Sequence, residues 1–142
     1  MIATQYCNRV FDGTHDTPVP SDKGTHKLLT SKNIMMGYLN KANAYVISDE
    51  DYEKINRHSK VHQWDVLFSM IGTVGNICIV NIPDNEIDFA IKNMGCFSCG
   101  EKNKAKWLYY YMQSPYVQKL ISYELNGAVQ KFLPLGVADL LN

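Results

Sequence analysis

The sequence contains no long hydrophobic run and has no excess of charge of either sign. None of its apolar stretches approaches the roughly 18 residues that span a bilayer, and its first residues lack the basic and apolar pattern of a secretory leader. Its 14 Lys and Arg residues balance its 14 Asp and Glu residues, so no net field directs it to nucleic acid, membranes or acidic partners. We therefore expect a cytoplasmic protein without membrane association, in which the charge used for binding is confined to one face.

Cysteine is scarce, and its four copies do not suggest a complete metal site. Cys96 and Cys99 have the spacing of half a structural zinc site, but such a site needs four ligands and no second Cys-x-x-Cys pair is present. Cys7 and Cys78 are far in sequence from each other and from that pair. We expect four free thiols in a reducing compartment and no bound metal.

The apolar pattern predicts strands in the first part of the chain. The segments 66–71 and 77–82 are separated by a glycine-containing stretch, which is typical of a β-hairpin. Residues 2–24 are rich in Asp, Gly, Pro and Ser, so we expect a loop there with little regular structure. Residues 27–34 are predicted to form a short buried strand that runs out into a polar turn. Further strands are predicted at 44–47, 89–97, with Gly95 as a bulge, and 128–133.

Helix signals occur once in the middle of the chain and twice near its end. Ser48 precedes three acidic residues, which predicts a capped helix reaching about Arg57. Helices are also predicted at about 104–113 and at 115–125. The order predicts a single α+β domain over residues 1–142, with a twisted, largely antiparallel sheet and the late helices packed beside it. The expected core includes Leu67, Phe68, Ile71, Ile79, Trp107, Tyr110 and Ile121.

Two side-chain groups allow more than one interpretation. Asp12, His15 and Asp16 lie close together and could activate a water or a nucleophile such as Ser31 or Ser69, as in a small hydrolase. Asp side chains that cap their own turns explain the same residues without catalysis. The aromatic residues at 107 and 109–111 have helical spacing, and we assign them to packing rather than to a surface that stacks bases.

Six blocks of sequence, in this order, resemble a known family. They are DGTHDTP at 12–18, LLTSKNI at 28–34, DVLFSMIGTVGN at 65–76, FAIKN at 89–93, LYYY at 108–111 with the following Ser114 and Pro115, and GAVQKFL at 127–133. Together they resemble a DNA target-recognition domain of a type I restriction-modification specificity subunit, whose fold is called DNA methylase specificity domain-like. The resemblance extends over most of the chain.

The resemblance implies a component that is not itself an enzyme. Such a domain docks on one half of a bipartite site in double-stranded DNA. Methyltransferase (modification) subunits and a restriction subunit supply the chemistry, so S-adenosylmethionine, ATP and Mg belong to those partners and no cofactor is expected here. A complete subunit has two such domains separated by long helices, and this sequence lacks the helical spacer and the second domain. An interaction module whose DNA-reading loops have decayed is the remaining alternative.

The residues expected to contact DNA lie in polar loops between apolar strands. Asn and Gln side chains can pair with two atoms of adenine, and Lys residues without acidic neighbours can neutralise phosphates. Lys32 and Lys131 are therefore expected at phosphates and Gln130 at a base. The full predicted set is Thr30, Ser31, Lys32, Asn33, Thr73, Asn76, Gln130 and Lys131.

Overall fold

The computed structural model describes residues 6–69 and 75–119, and it confirms a mixed α+β architecture with mainly antiparallel sheets. No helix in these two ranges combines the length and the apolar character needed to cross a bilayer. The strands are β1 (Arg9–Asp12), β2 (His26–Leu29), β3 (Tyr45–Ile47), β4 (Asp65–Ser69), β5 (Ile77–Ile79), β6 (Phe89–Ile91) and β7 (Met94–Ser98). The helices are α1 (Asp49–Ser59) and α2 (Lys102–Met112), with 3-10 turns at Ser31–Asn33 and Asp84–Glu86 and further helical residues at 115–119.

The larger sheet has four antiparallel strands in the order β1-β7-β4-β5. All five residues of β4 are buried, because this strand has a neighbour on each side and packed layers on both faces. Val66 lies opposite Ile79 of β5 and opposite Phe97 of β7. The predicted pairing of these two segments is thus confirmed, although β5 is shorter than expected. Gly75 precedes β5 with a φ of 96°, a conformation that favours glycine.

The smaller sheet has the order β3-β2-β6 and mixes two pairing directions. β2 and β3 are antiparallel, whereas β2 and β6 are parallel, with Leu29 opposite Ile91. Parallel neighbours end at the same edge of a sheet. The residues that follow β2 and β6 therefore leave the sheet side by side, which brings two distant loops together.

Three apolar clusters define four layers. Phe68 and Phe97 on one face of the larger sheet pack against Leu108 and Met112 of α2. On its other face, Leu67, Cys78 and Cys96 meet Leu29 and Phe89 of the smaller sheet. The remaining face of the smaller sheet is covered by α1, where Ile55 packs on Leu28 and Ala90. The order is α2, larger sheet, smaller sheet, α1.

Some local predictions are confirmed by the structure. The Ser48 hydroxyl accepts a hydrogen bond from the N–H of Asp51 at 3.1 Å and starts α1. α2 covers nearly the predicted range, and the Ser114 hydroxyl accepts from the N–H of Val117 at 3.3 Å where helix resumes. The segment 27–34 begins as β2 and continues into the 3-10 turn at Ser31–Asn33, as predicted. The predicted strand at 128–133 lies outside the described residues.

Other predictions are wrong. The expected loop over 2–24 contains β1, which pairs with β7. The expected strand at 89–97 is two strands separated by a turn at Asn93, whose φ is 54°. Gly95 lies in regular register opposite Asp12 and Phe68, so it forms no bulge.

The expected core is partly correct. Leu67 and Phe68 are fully buried, and Ile79 is half-buried against the cluster that contains Phe68. Trp107 and Tyr110 do not belong to the core, because their side chains are 51% and 68% exposed. Ile71 and Ile121 lie outside the described residues.

Candidate nucleic-acid interface

The turn that follows β2 is held by its own side chains. Its first residue, Thr30, donates its N–H to Asn33 Oδ1 at 2.8 Å, and its hydroxyl accepts from the N–H of Lys32 at 3.3 Å. Asn33 is buried and donates its amide Nδ2 to the carbonyl of Asn40 at 2.9 Å. This arrangement satisfies backbone groups that a strand would otherwise pair, and it fixes the segment 30–33 against the loop at 40–44.

A cavity of about 470 Å³ lies beside this turn. Eight of its twelve lining residues are polar, and none carries a carboxylate. We call it the polar cleft. Its lining residues are Leu28, Thr30, Ser31, Lys32, Asn33, Met35, Asn40, Asn43, Ala44, Tyr45, Lys92 and Asn93.

The polar cleft forms because β2 and β6 are parallel. Thr30 and Lys92 each follow the last residue of one of these strands, and the N–H of Lys92 donates to the carbonyl of Leu29 at 2.9 Å. Residues separated by about 60 positions in the chain thereby share one wall. The signal for this contact in the sequence is weak, since strand pairing rather than local pattern creates it.

The loop at 13–17 supports the wall formed by Lys92 and Asn93. The Nζ of Lys92 donates to the Thr17 hydroxyl at 2.7 Å, and the N–H of Asn93 donates to the carbonyl of Thr14 at 3.0 Å. His15 Nδ1 lies 2.9 Å from Asn93 Oδ1. The first block of the family resemblance is therefore adjacent to the fourth.

The polar cleft is locally basic although the chain is neutral. Lys32 is exposed and forms no ion pair within the described residues, whereas nearby Lys41 contacts Asp88 at 3.1 Å. Acidic residues are concentrated instead at the start of α1, where Asp49, Glu50 and Asp51 occupy the first turn. Such a division permits one face to attract phosphates without a net positive charge.

The structure brings together four of the eight predicted DNA contacts. Thr30, Ser31, Lys32 and Asn33 all line the polar cleft. Asn33, however, is 5% exposed, and its amide bonds to Thr30 and Asn40. These contacts favour a structural role for Asn33, and its contact with DNA stays a prediction.

The side chain of Asn76 also bonds within the protein. Its Nδ2 donates to the carbonyl of Ile34 at 3.1 Å and so links β5 to the turn that follows β2. It is not among the residues that line the polar cleft. Thr73, Gln130 and Lys131 lie outside the described residues.

Sequence reasoning missed four polar residues of the polar cleft. Asn40 and Asn43 are exposed on its outer wall, and Lys92 and Asn93 form the opposite side. Asn93 had a detectable signal, because Asn tolerates positive φ better than most residues and so can mark a turn inside an apolar run. Asn43 has no side-chain hydrogen bond to any described residue and keeps both amide atoms available.

The alternative hydrolase site is only partly assembled. Asp12 Oδ2 lies 3.7 Å from His15 Nε2, and burial raises the pKa of Asp12 while His15 opposes that shift. Ser69, one suggested nucleophile, is fully buried in β4. Ser31 makes no hydrogen bond to His15 in the described part of the chain. An activated nucleophile requires such a contact, so this geometry favours a supporting role for His15 at Asn93.

The four cysteines are free thiols. Two of their side-chain contacts join residues that are far apart in the sequence. Cys7 Sγ lies 4.0 Å from Cys99 Sγ, while Cys96 donates to Asp65 Oδ2 at 3.3 Å. His62, which follows His58 at a spacing seen in zinc sites, contacts Asp84 at 3.0 Å. Within 6–69 and 75–119, no three potential ligands converge on a point that could hold a metal ion.

Comparison with known families adds no assignment: no family model matches the chain, and no curated protein matches it significantly.

Proposed function

We propose that this chain is a DNA target-recognition domain that reads one half of a bipartite site for a type I restriction-modification complex, and that duplex DNA binds at the polar cleft. One observation supports this more than any other. Two separate segments of the family resemblance, 28–34 and 89–93, converge on a cleft whose lining contains two lysines, four asparagines and no carboxylate.

The lysines suit the phosphate backbone. Lys32 is exposed at the cleft, and no carboxylate of the lining competes with phosphate for its ammonium group. Lys92 is half-buried and is oriented by Thr17. Contacts of this type fix the register of a protein on the duplex but carry no sequence information.

The amides suit base edges. Asn side chains offer a donor and an acceptor together, the pattern that matches adenine in the major groove. Asn43 is the first choice as a base contact, because it is exposed and has no competing side-chain hydrogen bond among the described residues. Asn40 is second, since its Oδ1 accepts from the N–H of Ala42 at 3.1 Å and leaves its Nδ2 for a partner. Gln130 remains a further prediction outside this region.

The proposed role needs no catalysis by this chain. Methylation, translocation and cleavage are assigned to the methyltransferase and restriction subunits, together with their S-adenosylmethionine, ATP and Mg. This division of labour comes from the family resemblance.

Fluorescence anisotropy with labelled duplexes of mixed sequence tests the proposal over a series of salt concentrations. We expect binding that weakens steeply as salt rises. The variant Lys32→Ala should bind all duplexes more weakly and reduce the slope of log affinity against log salt by about 0.9. The matched control is Lys54→Ala, which removes an exposed lysine from the acidic helix α1 and should leave the slope unchanged.

Two results would contradict the proposal. Equal losses for Lys32→Ala and Lys54→Ala would indicate nonspecific attraction without a defined site. Absence of duplex binding at low salt, both for the chain alone and for the chain reconstituted with methyltransferase subunits, would leave the decayed interaction module as the better explanation.

A further inference from the structure

Three large aromatic side chains project from one end of the molecule into solvent. Trp107 and Tyr110 of α2 are 51% and 68% exposed, and Tyr116 in the following helical residues is 63% exposed. In the described part of the chain, six large hydrophobic side chains are exposed. Half of them therefore occur within ten consecutive residues.

Their exposure follows from how α2 packs. Ala105, Leu108 and Met112 take the positions that face the larger sheet and are fully buried. Trp107 and Tyr110 are three residues apart, so they are neighbours on a helix surface, and this surface points away from the sheet. We call the surface formed by Trp107 and Tyr110 the α2 aromatic face.

The Trp107 ring is packed against two other aromatic rings. Trp107 stacks on Tyr111, with centroids 5.0 Å apart and planes 10° apart, and Tyr6 lies 5.3 Å away at 41°. Tyr6 is itself fixed, because its hydroxyl donates to the carbonyl of Lys104 at 3.0 Å. A planar ligand can extend this existing stack without ordering the side chains first.

The surroundings of the α2 aromatic face are basic. The segment 101–119 contains four lysines and one acidic residue, Glu101. Three of these, Lys102, Lys106 and Lys119, are exposed. The helix α1 on the opposite outer layer has four acidic residues instead, so the two helices differ in charge as well as in position.

We infer that the α2 aromatic face binds single-stranded DNA, with unpaired bases stacked on its rings and the lysines at the phosphates. Exposed aromatics interleaved with cations are the combination that single-strand binding uses. A duplex cannot use these rings in the same way, because its bases are already stacked. A protein partner fits less well, since lysine is depleted at protein interfaces relative to the rest of the surface. The inference is independent of the polar cleft.

The test is anisotropy titration of the chain with a labelled thymidine oligomer of about 12 nucleotides, a length within the usual site size. Tyr110→Leu removes the ring but keeps an apolar side chain, and it should weaken binding by about fivefold or more. Tyr110→Phe keeps the ring and should bind like the unmodified chain. Lys106→Gln should lower the salt slope by about 0.7, the value for single strands, and Lys54→Gln should not.

Tryptophan fluorescence provides a second readout. Stacking of bases on Trp107 should quench its emission when the oligomer is added to a Trp64→Phe variant, which leaves Trp107 as the chain's single tryptophan. A ribonucleotide oligomer of the same length compares the two sugar backbones, and tighter binding of the deoxy form supports the inference.

Failure of this inference can be separated from failure of the proposed function. If thymidine oligomers bind but Tyr110→Leu has no effect and Lys32→Ala abolishes binding, the single strand occupies the polar cleft and the α2 aromatic face is not its site. If they do not bind at low salt while duplexes do, the inference is wrong, the polar cleft remains, and a protein becomes the candidate occupant of this face.

Discussion

Replacing Asn33 by Ala tests whether this residue holds the polar cleft together or contacts DNA. Its side chain is buried and makes two short hydrogen bonds, to the Thr30 N–H at 2.8 Å and to the Asn40 carbonyl at 2.9 Å. A third contact, from the Thr30 hydroxyl, is longer at 3.4 Å. Asn33→Ala removes all three and leaves two backbone groups without their partners.

The expected loss of stability follows from the net contribution of each hydrogen bond to the free energy of unfolding. Each contributes about 1 kcal/mol, and a partner left unsatisfied away from water raises the cost. Thr30 is half-buried and Asn40 is exposed, so water can replace part of the loss. We expect Asn33→Ala to lower the free energy of unfolding by about 2–3 kcal/mol. Lys32→Ala, one position away and exposed, should change it by less than about 0.5 kcal/mol.

Urea denaturation followed by near-ultraviolet circular dichroism measures both changes. Asn33→Ala should shift the midpoint to lower urea with an unchanged slope, which reports lower stability without a change in the surface exposed on unfolding. If Asn33→Ala is as stable as the unmodified chain but loses DNA affinity, the assignment of Asn33 to structure is wrong and the original interpretation as a DNA contact is restored.

Two further predictions concern buried ionisable groups. The Sγ atoms of Cys7 and Cys99 lie 4.0 Å apart, so a small thiol oxidant should join them in a disulfide and remove two titratable thiols. Cys7→Ser should prevent this loss and Cys78→Ser should not. Because the bond links residues 92 apart, the free energy of unfolding of the oxidised chain should be higher by roughly 4–5 kcal/mol; an unchanged thiol count after oxidation would contradict this. Burial raises the pKa of Asp65 above 3.8, so the contribution of Asp65 to stability is present below that pH and is lost as the pH rises through the folded-state pKa. The unfolding free energy of the unmodified chain minus that of Asp65→Asn should therefore be larger at about pH 4 than at pH 7. A difference independent of pH would refute the raised pKa of Asp65.

Features determined by neighbouring residues could be predicted from the sequence. Ser48 was identified as a helix cap because the cap and the N–H it binds are three positions apart. The β4–β5 hairpin was found because two apolar runs flank a short glycine-containing connection. In both cases the interacting groups lie within a few residues of one another, so the local pattern contains the information.

Features determined by distant pairing could not be predicted in the same way. β1 has only four residues among turn-forming neighbours, and it is a strand because β7 lies beside it. The polar cleft depends on the parallel pairing of β2 and β6, which no local pattern encodes. Half of the predicted DNA contacts line this cleft, but Asn40, Asn43, Lys92 and Asn93 were found only from the fold.

The exposure of the α2 aromatic face shows a different limit. The helix carries more large apolar side chains than its contact with the larger sheet can cover, and Ala105, Leu108 and Met112 already occupy that contact. Hydrophobic spacing identified the helix but did not rank the side chains that compete for the same face. Trp107 and Tyr110 were therefore assigned to the core, although they lie in solvent.

Selection of duplexes from a random-sequence library by this chain, either alone or with methyltransferase subunits, tests sequence recognition at the polar cleft. We expect the bound duplexes to share one short motif, corresponding to half of a bipartite site. Asn43→Ala should weaken affinity for that motif by roughly 1–3 kcal/mol with little effect on random DNA. Recovery of duplexes with no shared motif, or a motif whose enrichment is the same for Asn43→Ala, Asn40→Ala and the unmodified chain, would contradict sequence recognition at the polar cleft.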